Sequence, residues 1–419
     1  MRRTLAALMT AAIAVLATAT PATAAVPRPD PGGWMVTKSS GGTPTPTNAA
    51  PQTSSALPAA LPQDDVKRIC RNEHAAQAST QQGWMMDRFN RCHIGHRKVE
   101  LRCKGCTTVI ASVEFDYTLV GIAQNGSRTV DFYLSFDNWT PLGGAERETT
   151  PMRISLTGCG TLITCNPSRA EVTQPLGQWA AVPNMWVTMT SPDNTGIGAD
   201  FRASALVRLG MAILPVNPQI DPWIENDMTT ADIRFDSAGA VAGKHHGAVF
   251  SDMIPTYDLA AIARADNWES GVEESIQHID DALHHPVRTW PSFLGKAPPG
   301  EYRPSAGANQ RPLHRLVDSS LQNTNREWAR KVCVDVWGEG SATPNLNCDE
   351  YPMASTREGA YTGSGGADGN SNGWQTWHGS ARLIGEVDNQ DSGRLYLNNG
   401  FYQPQRIIDG DAFFVAITR

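Results

Sequence analysis

The stretch NLNCDEYPMASTREG, residues 345–359, sets Cys348 beside two adjacent carboxylates, Asp349 and Glu350, and adds a Tyr-Pro step and a third acid, Glu358. Downstream, VDNQDSGRLYLNNG holds a second polar set: Asp388, Asn389, Asn398 and Asn399. A carboxylate can take a proton from water, and amide or carboxylate oxygens on a rigid element can hold a hard divalent cation, with water filling its other positions. Together these parts suit hydrolysis of a phosphodiester, where the cation neutralises charge on the phosphate. Adjacent side chains of an extended strand point to opposite faces, so Asp349 and Glu350 are not expected to face one cation together. One of the two would act and the other support it. The plainer alternative is a disulfide-pinned loop with solvated acids, and an Asn-Asn-Gly that only ends a helix.

Elements on either side must position these groups. RPLHRLVDSSLQNTNREWARKVC has Leu and Val at helical spacing before Cys333, with Arg311, His314, Arg315 and Arg326 adding local positive charge. Asp391 or Ser392 is placed to cap a second helix on which Leu395, Asn398, Asn399 and Tyr402 fall at i, i+3, i+4 and i+7. Gly400 and Pro404 limit its length, and DAFFVAI reads as a final strand.

CDEYPMAST and EG, with RPLHRL upstream and DN, SG, GFY and RIIDGDAFFV downstream, resemble the NucA/NucB-type deoxyribonuclease domain over roughly residues 309–417. The resemblance implies a secreted, metal-dependent endonuclease acting on DNA, with a small fold like a reduced ββα-metal finger. It places the base on Asp349, where related metal fingers have His, and a neighbouring acid on Glu350. It implies metal ligands at Asn389 and at Asn398 or Asn399, with Mg²⁺ or Mn²⁺ as the cation. Gln390 and Arg394 stand where the family pattern has Arg and a small residue, and residues 360–386 are long and Gly-rich for it. Arg357, Arg394 and Arg406 are the candidates to follow a nucleic-acid backbone.

The rest of the chain sets the compartment and the architecture. MRRTLAALMTAAIAVLATATPATAA has two arginines, an apolar run and Ala22-Thr23-Ala24, the pattern of a secretory signal peptide over residues 1–24. Export and an even count of eight cysteines favour disulfides, most simply Cys70–Cys92, Cys103–Cys106, Cys159–Cys165 and Cys333–Cys348. Cys92, His93, His96, Cys103 and Cys106 make only half of a zinc signature, so disulfides are preferred. His245-His246 and His284-His285 lack the i, i+4 spacing of a helical metal site and read as surface or turn residues.

Residues 25–65 are rich in Pro, Ser, Thr, Gly and Ala and predict a disordered linker. Between 66 and 250, short alternating β-branched and aromatic runs separated by QNGS, PLGG and PDNTG predict an antiparallel β-sandwich. Residues 256–285 look helical, so 251–300 is read as a helical connector closed by Pro- and Gly-punctuated sequence, and 301–419 as the nuclease domain. The expected architecture is thus α+β and multidomain.

With 419 residues, 40% hydrophobic and 18% charged, the chain has the composition of a folded globular protein and not of a disordered one. Its net charge of −7, and 11 basic against 14 acidic residues over 301–419, argue against tight nucleic-acid binding. Weak, sequence-nonspecific contact with extracellular DNA fits better, with no membrane partner after signal cleavage. Two other readings compete: an exported protein whose sandwich binds a cell-surface ligand or glycan, and a nuclease toxin delivered by that sandwich.

Overall fold

The computed structural model describes residues 33–38, 61–102, 108–142, 149–216, 220–268, 270–338, 345–364 and 373–418. The signal-peptide stretch 1–24 and the Cys103–Cys106 pair lie outside them. The other three expected pairs are present: Cys70–Cys92, Cys159–Cys165 and Cys333–Cys348. No helix among the described residues is long and apolar enough to cross a membrane.

Alternation of side chains builds the N-terminal sheets. In Pro151–Leu156, Met152, Ile154 and Leu156 are buried while Pro151, Arg153 and Ser155 are less so. Asn184–Thr190 does the same with Met185, Val187 and Met189, the period of two that a pleated strand imposes. One antiparallel sheet runs Gly33–Lys38, Asn90–Arg102, Val109–Ala123, Thr129–Leu142, Asn184–Thr190 and Thr164–Asn166, with Trp84–Met85 also on Asn90–Arg102. A second runs Gly247–Phe250, Thr230–Asp236, Ala203–Ile213, Pro151–Leu156 and Glu171–Pro175, with Trp223–Glu225 also on Ala203–Ile213. Both contribute to one apolar core that includes Phe115, Phe132, Trp179, Leu209 and Phe235.

The leader is not wholly linker. Gly33–Lys38 pairs antiparallel with Asn90–Arg102, from Gly33 opposite Arg102 to Lys38 opposite Arg97. A helix then begins at Gln63, its Val66 and Cys70 buried. Low apolar content did not prevent a short edge strand, because its hydrogen bonds come from the backbone.

The helical run expected over 256–285 divides into three pieces. Thr256–Asp258 is a strand parallel to Ala412–Ala416. Asp258 then caps Leu259–Ala265 by accepting the Ala261 N–H at 2.9 Å. Asn267 and Trp268 take φ of +52° and +56°, which ends that helix. The next helix, α1 (Glu273–His284), buries Ser275, Ile276, His278, Ile279, Ala282 and Leu283. These residues do not form a free connector. Leu259, Ile276 and Ile279 share a core with Leu313, Tyr351, Tyr396, Phe401 and Phe413.

The C-terminal segment adds α2 (Ser319–Trp337), capped by Asp318, and the antiparallel strands β1 (Leu346–Tyr351) and β2 (Ser380–Gly385). The helix α3 (Glu386–Asp391) follows directly and continues as a wide π-type helix over Ser392–Tyr402. Helix entry therefore lies at Glu386, upstream of the expected cap at Asp391 or Ser392. The final strand is Ala412–Ala416.

Candidate functional site

The pairing of β1 with β2 sets Asp349 opposite Arg382 and Glu350 opposite Ala381. The Cys333–Cys348 disulfide ties α2 to β1 one residue before the first acid. Tyr351 is buried and donates its O–H to the Pro299 carbonyl at 2.8 Å, so the aromatic residue of the motif anchors the strand. β1 pairs along one edge only. A cleft of about 720 Å³ opens beside it, lined by every residue from Leu346 to Glu350. Both acids are among its lining residues.

Asp349 is 8% exposed, and its Oδ2 lies 2.7 Å from His278 Nδ1. The other nitrogen of that imidazole, Nε2, lies 2.7 Å from Ser380 Oγ. An Nδ1–H donating to the carboxylate and an Nε2 accepting the hydroxyl satisfy both contacts at once. Glu350 accepts the Ala354 N–H at 3.2 Å. Burial, and then the neighbouring Asp349 charge, push the Glu350 carboxyl up to about 7, against the pull of Arg326.

On the opposite wall the helix is built from its partners. Asp388 accepts the N–H groups of Glu274 and Ser275, both at 2.9 Å, and so caps α1 from a distant segment. That contact fixes the next residue, Asn389, in the cleft wall. Beyond it the backbone widens to i→i+5 turns, so the side chains facing one direction recur at longer steps than in an α-helix. Asn389, Gly393, Asn398 and Tyr402, at steps of four, five and four, all line the cleft. The wide turn carries Asn399 off that face: it is exposed and accepts from Asn398 Nδ2 at 3.1 Å.

The expected residues therefore separate. Asp349, Glu350, Asn389, Asn398 and Arg394 line one cleft; Asn399, Arg357 and Arg406 do not. Arg357 pairs with Asp409 at 2.8 Å along a different groove. Arg406 is fully buried against Asp236 of the N-terminal sheets, so its guanidinium is unavailable to a phosphate backbone. Glu358 is occupied with His314, at 2.8 Å.

Other cleft residues come from places that sequence spacing does not single out. Arg326 and Arg330, at i and i+4 on α2, are exposed in the cleft wall. Arg315 also lines it, with its guanidinium 3.6 Å over the Tyr402 ring and held below its ordinary pKa by burial. His278 stands on the apolar face of α1 between Ile276 and Ile279, a position that marks a histidine in need of a buried partner.

Among the described residues, no group of three His, Cys, Asp or Glu side chains is arranged to hold a metal ion. The oxygen set in the cleft nonetheless suits a hard cation that keeps several waters. The Asn389 amide has no hydrogen-bond partner among the described residues. Asn398 engages Asn399 through Nδ2, not through its oxygen.

Residues 309–416 match the family model of Deoxyribonuclease NucA/NucB. The match covers the cleft acids, Asn389, Asn398, α2 and Arg394, and supports deoxyribonuclease activity for this part of the chain with DNA as its substrate. His278 and the rest of α1 lie outside it. No curated protein and no solved structure matches the chain.

Proposed function

We propose that the protein is a secreted, metal-dependent endonuclease that hydrolyses phosphodiester bonds of DNA in the cleft between β1, α2 and α3. The observation that carries this reading is the convergence of Asp349, Asn389 and Asn398 on one cleft within a segment that matches a deoxyribonuclease family.

Asp349 is the base: its carboxylate accepts the proton of a water in the cleft, and the oxygen of that water attacks phosphorus. Glu350, with a carboxyl titrating near 7, supplies a proton to the leaving oxygen and is the supporting acid of the pair. Asn389 and Asn398 would hold Mg²⁺ or Mn²⁺ through their amide oxygens. A bound divalent cation neutralises charge on the scissile phosphate. Arg394, Arg326 and Arg330 are spread over two helices facing the cleft and suit successive backbone phosphates. They replace Arg357 and Arg406 as the substrate contacts. So few cationic groups, on a segment with an acidic balance, fit weak and sequence-nonspecific binding.

Three disulfides suit an oxidising compartment, and with the N-terminal signal pattern they support export. We draw the nuclease unit from about residue 256, since the elements at 256–284 share its core and supply its base with a partner. The toxin reading treats the N-terminal sheets as a separable carrier, and the buried Arg406–Asp236 pair speaks against separation.

The test is cleavage of plasmid DNA by the full chain with and without EDTA. Cleavage that stops with the chelator, and in Asp349→Asn, is expected. Cleavage that continues in either case removes the mechanism.

A further inference from the structure

Ser380, His278 and Asp349 form a hydrogen-bonded chain of two 2.7 Å contacts, the same three residue types in the same order as a serine hydrolase triad. A nucleophilic role for Ser380 does not follow. Ser380 is 1% exposed, and neither it nor His278 lines the cleft. Asp349 does. In this site the chain runs inward from the reacting group, so its outer members act on the carboxylate and not on the substrate.

We propose that His278 is a positioning residue for Asp349, and that the nuclease site is therefore completed by a helix outside the segment that matches the family. The inference rests on the role given to Asp349 above. The imidazole is fully buried, held on one side by a hydroxyl from β2 and on the other by the carboxylate of β1. It donates one directional hydrogen bond to Oδ2 and so fixes the carboxyl rotamer within the cleft. α1 is itself held in register by Asp388, one residue before the cleft ligand Asn389. Base and ligand wall are thereby referenced to one helix. Side chains that orient a reactive group in this way contribute about 10–100-fold to activity in comparable metal sites.

Two amide variants separate positioning from packing. The amide nitrogen of His278→Asn falls near the position of Nδ1 and keeps the bond to Asp349. That of His278→Gln falls near Nε2 and keeps only the bond to Ser380. Plasmid cleavage by the full chain should give a kcat about 10–100-fold below wild type for His278→Gln, with KM within about twofold, and a kcat within about tenfold for His278→Asn. Any other order, including equal rates in the two variants whether high or low, overturns the proposal. The wild type and Asp349→Asn are run beside them. An inactive wild type refutes the nuclease reading itself, and an active Asp349→Asn refutes the role of Asp349 as base. An active, Asp349-dependent wild type with equal Asn and Gln variants refutes only the role of His278.

Discussion

Arg406 gives the sharpest separation between two physical roles, because sequence suggests a phosphate contact and the fold makes it a buried ion pair. Its guanidinium sits between Asp236, a carbonyl of Lys244 at 2.8 Å and one of His245 at 3.1 Å. Gly247 faces it so closely that an added Cβ would collide with it. Next to this pair, Asp411 accepts from both Arg88 and Arg234, joining the N-terminal sheets to the C-terminal unit a second time. Both members of the Arg406–Asp236 pair are 0% exposed. Without the guanidinium, Asp236 keeps Arg234 Nε at 3.2 Å as its remaining cationic partner, and breaking a buried pair of this kind costs up to about 3–5 kcal/mol. Arg406→Met should therefore lower the melting temperature by roughly 6–20 °C, using about 2–4 °C per kcal/mol for domains of this size. Joint replacement of both residues by apolar ones should recover much of that loss. The assay pairs thermal unfolding with cleavage rate per folded molecule, measured across a salt series. The expected result is a large loss of stability with unchanged kcat/KM and unchanged salt slope below the transition. Intact stability with weakened, less salt-dependent cleavage would refute the burial argument and return Arg406 to the substrate.

Four further outcomes are expected. Glu350 has its folded pKa raised from 4.5 to about 7, so the stability it contributes is full below the unfolded value and is lost as pH rises through about 7. Compared with Glu350→Gln, the wild type should thus lose roughly 2–3 kcal/mol between pH 4.5 and 8 in denaturant titrations, and its cleavage rate should fall on the alkaline side where the variant's does not. Arg326→Gln and Arg330→Gln should each weaken DNA binding and reduce the magnitude of the salt slope by about one, measured by titration under non-cleaving conditions. Asp388→Ala should cost about 0.5–2 kcal/mol through loss of the α1 cap, and should reduce kcat as well because Asn389 and His278 lose their common anchor. Replacing Cys333 and Cys348 by Ser opens a closure of 15 residues and should cost about 3 kcal/mol by chemical denaturation.

What was legible in the sequence follows from the range of the forces involved. Alternating runs located most strands of the two antiparallel sheets, since period-two burial is written locally. Three disulfides joined cysteines that lie near one another along the chain. The CDEYP core marked the acids of β1. Long-range pairings were not legible. Nothing near Arg406 points to Asp236, and nothing near His278 points to Asp349. The Pro- and Gly-rich run after α1 reads as a domain boundary, yet Trp290 accepts the Ala381 N–H and Pro299 accepts the Tyr351 hydroxyl, packing that run against the β1–β2 pair. Which of Asn398 and Asn399 lines the cleft turned on a helix type that its composition does not announce. An α-helical period puts either residue near the cleft, whereas the wide turn selects Asn398.

Anomalous scattering from crystals of the full chain soaked in Mn²⁺ tests most directly whether the two walls of the cleft work as one site. The account predicts a single strong peak within coordination distance of the Asn389 and Asn398 amide oxygens, facing the Asp349 carboxylate. A well-ordered cleft with no peak there, or a peak bound by other residues away from Asp349, would contradict it.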